Sequence, residues 1–310
     1  MKKTVTILLS TYNGEKYLEE QLQSLFNQTY WENCTLFVRD DGSKDGTIDI
    51  LKKYEKENKL ILNCGENIGF VKSFFWLLNN APKADFYSFC DQDDVWFEDK
   101  IARAVSMLSE KDLNNPQLYF SDYDFYSSNL KFISTRSTSK KTPSFYEALT
   151  DCRAAGFTIL INTPFLDELK KINSNNIFYH DYLMYLLSFC ITFPIYDRTS
   201  TAKYRRHETN ESISVKEKKK LLFWRIKNFL LKSDTKFSDT YQEILNSEIK
   251  IPSEYKKTFL LFSTKKTFFV QLKKLFFPHR LRQKIFDEIC LRILFILYCS
   301  IRLMYIMVNY

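Results

Sequence analysis

Histidine occurs only three times in the 310 residues, and no two of the seven cysteines stand at CxxC spacing. With so few histidines and no G-x-S-x-G, no serine triad is signalled. H-E-x-x-H, Walker A and G-x-G-x-x-G patterns are also absent, so the usual zinc-peptidase, P-loop and dinucleotide signatures are excluded. The cysteines lie at positions 34, 64, 90, 152, 190, 290 and 299, mostly among apolar neighbours. An odd count without pairs points to reduced, buried thiols in a cytoplasmic protein. No signal peptide is expected, because the apolar run Val5 to Leu9 is too short and a polar loop follows it. Internal repeats and low-complexity segments are missing as well.

What is present suits a folded enzyme. Hydrophobic residues make up 45% and aromatics 16%, enough for a sizeable core and against long disorder. The length allows one large α/β domain with an appendage, or two small domains. The net charge of +8 is uneven. From Ala202 to Tyr310 there are 23 basic and 10 acidic side chains, against 22 and 27 in the remainder. A basic tail on a mildly acidic body calls for an anionic partner, such as membrane lipid or phosphorylated substrate.

Hydrophobic periodicity predicts the order β, α, β, α, β, α, β in the first third. Strands are expected at Thr4 to Leu9, Thr35 to Arg39, Leu60 to Asn63 and Asp85 to Cys90. Tyr17, Leu18, Leu22, Leu25 and Phe26 recur at helical spacing between the first two. Such alternation predicts a parallel sheet with helices on both faces, binding ligand at the strands' carboxyl ends. Three of those ends carry polar or acidic loops, at residues 10–14, 40–43 and 91–94. The middle third is more mixed, with strands expected at Leu118 to Phe125, Ala155 to Asn162 and Thr199 to Arg206. A helix with an acidic start is expected over Tyr179 to Phe189.

The run Asp91-Gln92-Asp93-Asp94 after an apolar strand is the strongest chemical signal. Three carboxylates in four residues repel one another unless a cation joins them. Mg²⁺ or Mn²⁺ takes one or two carboxylates and completes its shell with water and substrate phosphates. That arrangement holds a nucleoside diphosphate and stabilises it as a leaving group.

The stretches LLSTYNGEKYLEEQLQSLFNQTY, FVRDDGSKDGT, ENIGF and FCDQDDVW together resemble family 2 glycosyltransferases of the GT-A fold, in order and spacing, through roughly the first hundred residues. The resemblance implies a Rossmann-like mixed α/β sheet flanked by helices, with the C-terminal helices as an extension. It places the nucleotide base and ribose against Ser10, Thr11, Tyr12 and Asp41, while Asp40 either helps or caps its turn. It puts the DxD roles on Asp91 and Asp93, with Asp93 as direct metal ligand, Asp91 nearer the ribose and Gln92 between them. Asn67-Ile68-Gly69 is either a donor-site loop or an ordinary turn.

The second half must supply a base for the acceptor hydroxyl. Asp181, in Phe178-Tyr179-His180-Asp181-Tyr182, is the candidate, the alternative being a helix cap. A helix N-terminus favours its ionised form. The His-Asp pair, and a Tyr-Arg-x-His element ending at His207, resemble the rhamnosyltransferase-like branch. They imply dTDP-rhamnose as donor, otherwise a UDP-hexose. His207 is read as a diphosphate or metal contact, or else as a surface histidine. The Gln-x-x-Arg-Trp signature of processive synthases is absent, which implies one sugar per encounter.

These readings divide the chain into a catalytic domain over residues 1–212 and a basic helical region over 213–310. In the first, residues 1–100 bind donor and 101–212 face acceptor. The basic region mixes Lys and Arg with Phe, Leu and Trp at Lys216 to Lys232 and Phe268 to Lys284, then turns apolar from Ile289 to Val308. Arg292 and Arg302 disfavour a spanning helix, so an interfacial helix on anionic lipid is preferred over spanning or oligomerisation. The expected enzyme is an inverting, metal-dependent glycosyltransferase, peripheral on the inner face of the cell membrane. It would build a surface polysaccharide on a glycan or lipid-linked glycan acceptor, with no nucleic acid as partner. A sugar-phosphate nucleotidyltransferase and a non-catalytic membrane scaffold are the rivals. The first lacks the Gly-rich basic loop it would need after the first strand.

Overall fold

The computed structural model describes residues 2–136, 142–207, 234–264 and 267–308. β1 (Val5–Thr11), β2 (Cys34–Asp40), β3 (Ile61–Cys64) and β4 (Phe86–Cys90) pair in parallel in the order β3-β2-β1-β4. They are joined by α1 (Glu15–Phe26), α2 (Thr47–Lys56) and α3 (Phe70–Asn80), the alternation read from the sequence. Asp45 accepts a hydrogen bond from the Thr47 amide at 3.1 Å, at the start of α2.

Beyond β4 the sheet becomes mixed. Its order continues β4-β8-β6-β9-β5, with β7 (Phe132–Thr135) on the flank of β6 (Leu118–Ser127). β8 (Leu160–Asn162) runs antiparallel to both β4 and β6, β9 (Ile195–Arg206) runs parallel to β6, and β5 (Val95–Trp96) runs antiparallel to β9. The parallel pairing expected of the first four strands is present, and the sheet as a whole is the mixed one that the resemblance implies. The strand expected from Ala155 begins at Leu160 instead. Residues Gly156–Thr158 form a 3₁₀ turn, closed by Thr158 N–H to Ala155 C=O at 2.8 Å and Ile159 N–H to Gly156 C=O at 2.9 Å. That turn brings Gly156 against α7 (His180–Ile191), which an extended strand would not do.

Both sheet faces are covered, which explains why the central strands read as unbroken apolar runs. Val5, Ile7 and Leu9 pack with Leu18, Leu22 and Leu51 of α1 and α2, and with Ile101 of α4 (Lys100–Ser109). Leu8 faces the other way, into a core shared with Phe74 of α3 and Leu183 and Leu186 of α7. The same core takes Tyr241 of α8 (Asp234–Asn246), Phe259 of α9 (Ser253–Ser263) and Phe295 of α11 (Ile285–Val308). α10 (Phe268–Leu275) packs against α11. Three short elements complete the order: α5 (Phe145–Ala148), α6 (Thr163–Leu169) and a 3₁₀ turn at Ser174–Asn176. Among the described residues no helix is long and apolar enough to cross a membrane. The basic stretch Lys216 to Lys232 lies outside the described residues.

The cysteines fit their expected buried state only in part. Cys90 and Cys190 are buried, Cys34, Cys152 and Cys290 are half-buried, and Cys64 is exposed. All six are free thiols. Burial pushes the Cys34 thiol up to about 12 and Cys90 well above its ordinary value, which makes both poor nucleophiles.

Candidate active site

The carboxyl ends of β1, β2 and β4 stand side by side, and their loops are stitched together by side chains. Ser10 Oγ and Ser73 Oγ are 2.6 Å apart. Thr11 Oγ1 donates to Asp40 Oδ2 at 2.9 Å. Asp40 is fully buried and also accepts from the amides of Gly42 and Ser43 and from the Ser43 hydroxyl. These bonds tie Asp40 to its own turn and to the end of β1.

Asp41 is 2% exposed. It is ion-paired with Arg39 and accepts from the amides of Ile68 and Gly69, both at 2.9 Å. Arg39 also donates to the Glu66 carbonyl at 2.9 Å. The Asn67-Ile68-Gly69 loop is thus held onto the end of β2. Gly69 has φ 85°, a left-handed conformation that favours glycine, and a Cβ there would meet no atom within 4 Å. The backbone at Gly69 faces open space beside Asp41.

Tyr12 is exposed, while its backbone N–H and C=O are both engaged by the Gln92 side chain, at 2.8 and 3.0 Å. Gln92 therefore clamps the β1 loop to the acidic loop.

In the acidic run each aspartate has a different environment. Asp94 is buried, and its Oδ1 accepts from the Arg205 amide at 3.0 Å. Desolvation and the charges of Asp93 and Asp91 raise its carboxyl well above the usual range. Asp93 Oδ2 lies 2.7 Å from His207 Nε2 at the end of β9. Asp91 is half-buried; burial first, then the charges of Asp93 and Asp181, push it up to about 7. The cleft therefore holds more negative charge than it can comfortably keep in a free protein.

Asp181 sits in the first turn of α7. Burial raises it to about 6, while hydrogen bonds from the backbone of Tyr182, its own residue and Gly156 act in the opposite direction. The expectation that the helix N-terminus keeps its pKa low is thus outweighed by desolvation. Its neighbour His180 is buried with both ring nitrogens unpartnered, its ring 4.3 Å from that of Phe74 and tilted by 31°. Burial pushes His180 down to about 3, so its ring is neutral.

Sequence reasoning missed the residue that joins these parts. Arg205, two residues before His207, is 1% exposed and points inward. Its guanidinium donates to the carbonyls of Asp93 and Ser128, both at 2.8 Å, pairs with Glu20 of α1 and lies 4.6 Å from the Tyr17 ring. It braces the acidic loop from behind. Nothing local in the sequence marks it: β9 also carries Arg198, exposed, and Lys203 and Arg206, half-buried.

The donor set suits a small divalent cation. Among the described residues no three His, Cys, Asp or Glu side chains are grouped so as to hold a metal by themselves. The Asp93–His207 pair offers one oxygen and one nitrogen, and Asp91 shares the cleft. A cation of the Mg²⁺ or Mn²⁺ type needs no more protein than this when substrate phosphates and water complete its shell.

The family model described as "Glycosyl transferase family 2" matches residues 6–169. The chain is 32% identical over 232 residues to the dTDP-rhamnosyl transferase RfbG of Shigella flexneri, covering 69% of this chain and 78% of that one. Among solved structures, S. aureus TarS residues 1–349 in complex with UDP-GlcNAc superposes with TM-score 0.59 at 19% identity, covering 87% of this chain and 76% of that one. The Pyrobaculum calidifontis mannosyltransferase PcManGT, in complex with GDP-Man and Mn²⁺, gives 0.55 at 16% identity, covering 89% and 72%. The two structures bear on fold alone. The chain belongs to glycosyl transferase family 2, and is a glycosyltransferase of the GT-A fold.

Proposed function

We propose that the protein transfers one sugar, with inversion, from a nucleoside-diphosphate sugar to a glycan acceptor carried on a lipid, in the synthesis of a surface polysaccharide. The observation that carries this reading is the acidic loop Asp91-Gln92-Asp93-Asp94 at the carboxyl end of β4, where Asp93 Oδ2 lies 2.7 Å from His207 Nε2. An acidic cleft of this kind has room for a diphosphate only with a cation. Asp93 and His207, with Asp91 beside them, would hold Mn²⁺ or Mg²⁺, which when bound neutralises the diphosphate charge as it leaves.

The remaining roles belong to the chain's own side chains. Ser10, Thr11, Tyr12 and Asp41 line the nucleotide end, with Asp40 and Gln92 fixing their loops. Asn67 and Gly69 offer backbone to the donor where no side chain intrudes. Asp181 takes the proton of the acceptor hydroxyl as that oxygen attacks the anomeric carbon from the face opposite the departing diphosphate. A carboxyl at about 6 is partly ionised at neutral pH and basic enough to accept a proton.

dTDP-rhamnose is the first donor to test, supported by the 32% identity to a dTDP-rhamnosyl transferase; a UDP-hexose is the other. The division into a catalytic region (1–212) and a basic membrane-associating region (213–310), and a location on the inner face of the cell membrane, complete the reading. Purified protein with Mn²⁺ or Mg²⁺ and a panel of nucleotide sugars should release nucleoside diphosphate from one donor above the rest. Release from none, with lipid-linked acceptor supplied, would sink the proposal.

A further inference from the structure

Of the seventeen large apolar side chains exposed among the described residues, eight lie between Phe268 and Ile296. Phe269 and Phe276 are the barest of all, at 74% and 76% exposure. They flank α10, and Phe286, 67% exposed, opens α11.

α11 has two faces, and neither is polar. Leu291, Leu294 and Phe295 turn inward and are buried. Ile285, Ile289, Ile293 and Ile296 recur at spacings of four, four and three on the outward side, all exposed. Arg292 does not interrupt that side. The Arg292 guanidinium donates to the carbonyls of Lys274, Leu275, Phe277 and His279 and pairs with Glu288 at 2.7 Å. Glu288 in turn accepts from the amides of Leu281 and Arg282. Arg292 and Glu288 are therefore spent on fastening α11 to the α10–α11 connection.

A surface helix normally offers polar residues to water. An apolar outer face beside aromatic wedges marks a site of contact. The rim supplies the sign of the partner. Residues 268–284 contain five Lys or Arg and no Asp or Glu, and Lys273, Arg280 and Lys284 are exposed.

We propose that the outer face of α10 and α11 docks on an anionic lipid bilayer, with Phe269, Phe276 and Phe286 entering the headgroup boundary and the lysines meeting lipid phosphates. Apolar insertion combined with basic attraction is how interfacial helices bind. A second copy of this chain is the weaker occupant, because a two-fold interface would set the basic rim against itself. The docking face stands on its own observations and does not depend on which sugar is transferred.

Flotation of the full chain with vesicles of phosphatidylcholine, with and without phosphatidylglycerol, tests it. The protein should float with the anionic vesicles, less with the neutral ones, and less at high salt. Phe269→Glu combined with Phe276→Glu should lower the bound fraction roughly tenfold or more, with melting temperature and donor hydrolysis unchanged. Lys273→Glu with Lys284→Glu, which leaves the apolar face intact, should abolish the preference for phosphatidylglycerol. Wild-type protein that stays in solution, or a Phe variant that floats like wild type, overturns the proposal. So does a wild-type dimer that the Phe variant dissociates while neither binds vesicles, which would assign the face to a second copy.

Discussion

Asp93 Oδ2 and His207 Nε2 stand 2.7 Å apart across 114 residues of chain. The contact ties the acidic loop after β4 to the end of β9, and the His207 ring lies 4.8 Å from Tyr17. If the pair holds the cation, His207→Ala should raise the Mn²⁺ concentration for half-maximal activity by about 10- to 100-fold. Titration of activity against Mn²⁺ reads this directly. His207→Gln, which can still hydrogen-bond Asp93, should recover the fold but not the metal affinity; full recovery would make His207 a positioning group only.

Asp181 gives the clearest pH prediction. Its folded carboxyl is raised from 3.8 to about 6 by burial. As a base it must be ionised, so kcat/KM should fall about tenfold per unit as pH drops below about 6. Asp181→Asn should abolish transfer while leaving donor affinity nearly unchanged. The stability effect has the opposite sense. A raised carboxyl binds its proton more tightly folded than unfolded, so its stabilisation is present below about 4 and is lost as pH rises through about 6. Asp181→Asn should therefore melt higher than wild type above pH 6, with the gap closing in acid. A gap that widens in acid would contradict the assignment.

The legible and illegible parts of this chain differ in range. The β–α alternation of the first hundred residues depends on local periodicity, and Leu8 against Val5, Ile7 and Leu9 shows the two buried faces in one strand. The acidic loop announced itself by charge density. Arg205 did not, because its bonds to Asp93 and Asp94 cross more than a hundred residues and nothing local distinguishes it from Arg206. Arg206 instead lies over the Phe125 ring at 4.1 Å. The turn at Gly156 was hidden for the same reason: an apolar run reads as a strand until the ring of His180 is known to press on it. The apolar run of α11 was visible, but not that α8, α9 and α11 join the core of α7.

Arg205→Met tests the brace. The substitution keeps much of the volume but leaves the carbonyls of Asp93 and Ser128 without a donor and Glu20 without its partner. Because Glu20 is half in solvent, the lost bonds inside set the effect, and stability should fall by about 2–4 kcal/mol. Denaturant unfolding measures it. The Mn²⁺ requirement should rise in the same variant, since the acidic loop loses its backing. Unchanged metal affinity in a folded variant would separate the brace from the site.

Gly156 offers the sharpest steric probe. A Cβ there would stand 2.9 Å from His180 Nε2 and 3.8 Å from Asp181 Cβ. His180 cannot swing away cheaply, because the Phe74 and Phe89 rings lie against it at 4.3 and 5.7 Å. Gly156→Ala must therefore push the start of α7, at a cost of about 1–3 kcal/mol. The same push displaces the carboxyl of Asp181 by a few tenths of an ångström from the position that its bond to the Gly156 amide fixes. Transfer should drop well beyond the loss of stability, with donor binding intact, because reaction geometry tolerates such shifts poorly. Combining Gly156→Ala with His180→Ala removes the clash and should restore part of the activity. A double variant no better than Gly156→Ala alone would mean that the glycine matters for its backbone and not for the room it leaves.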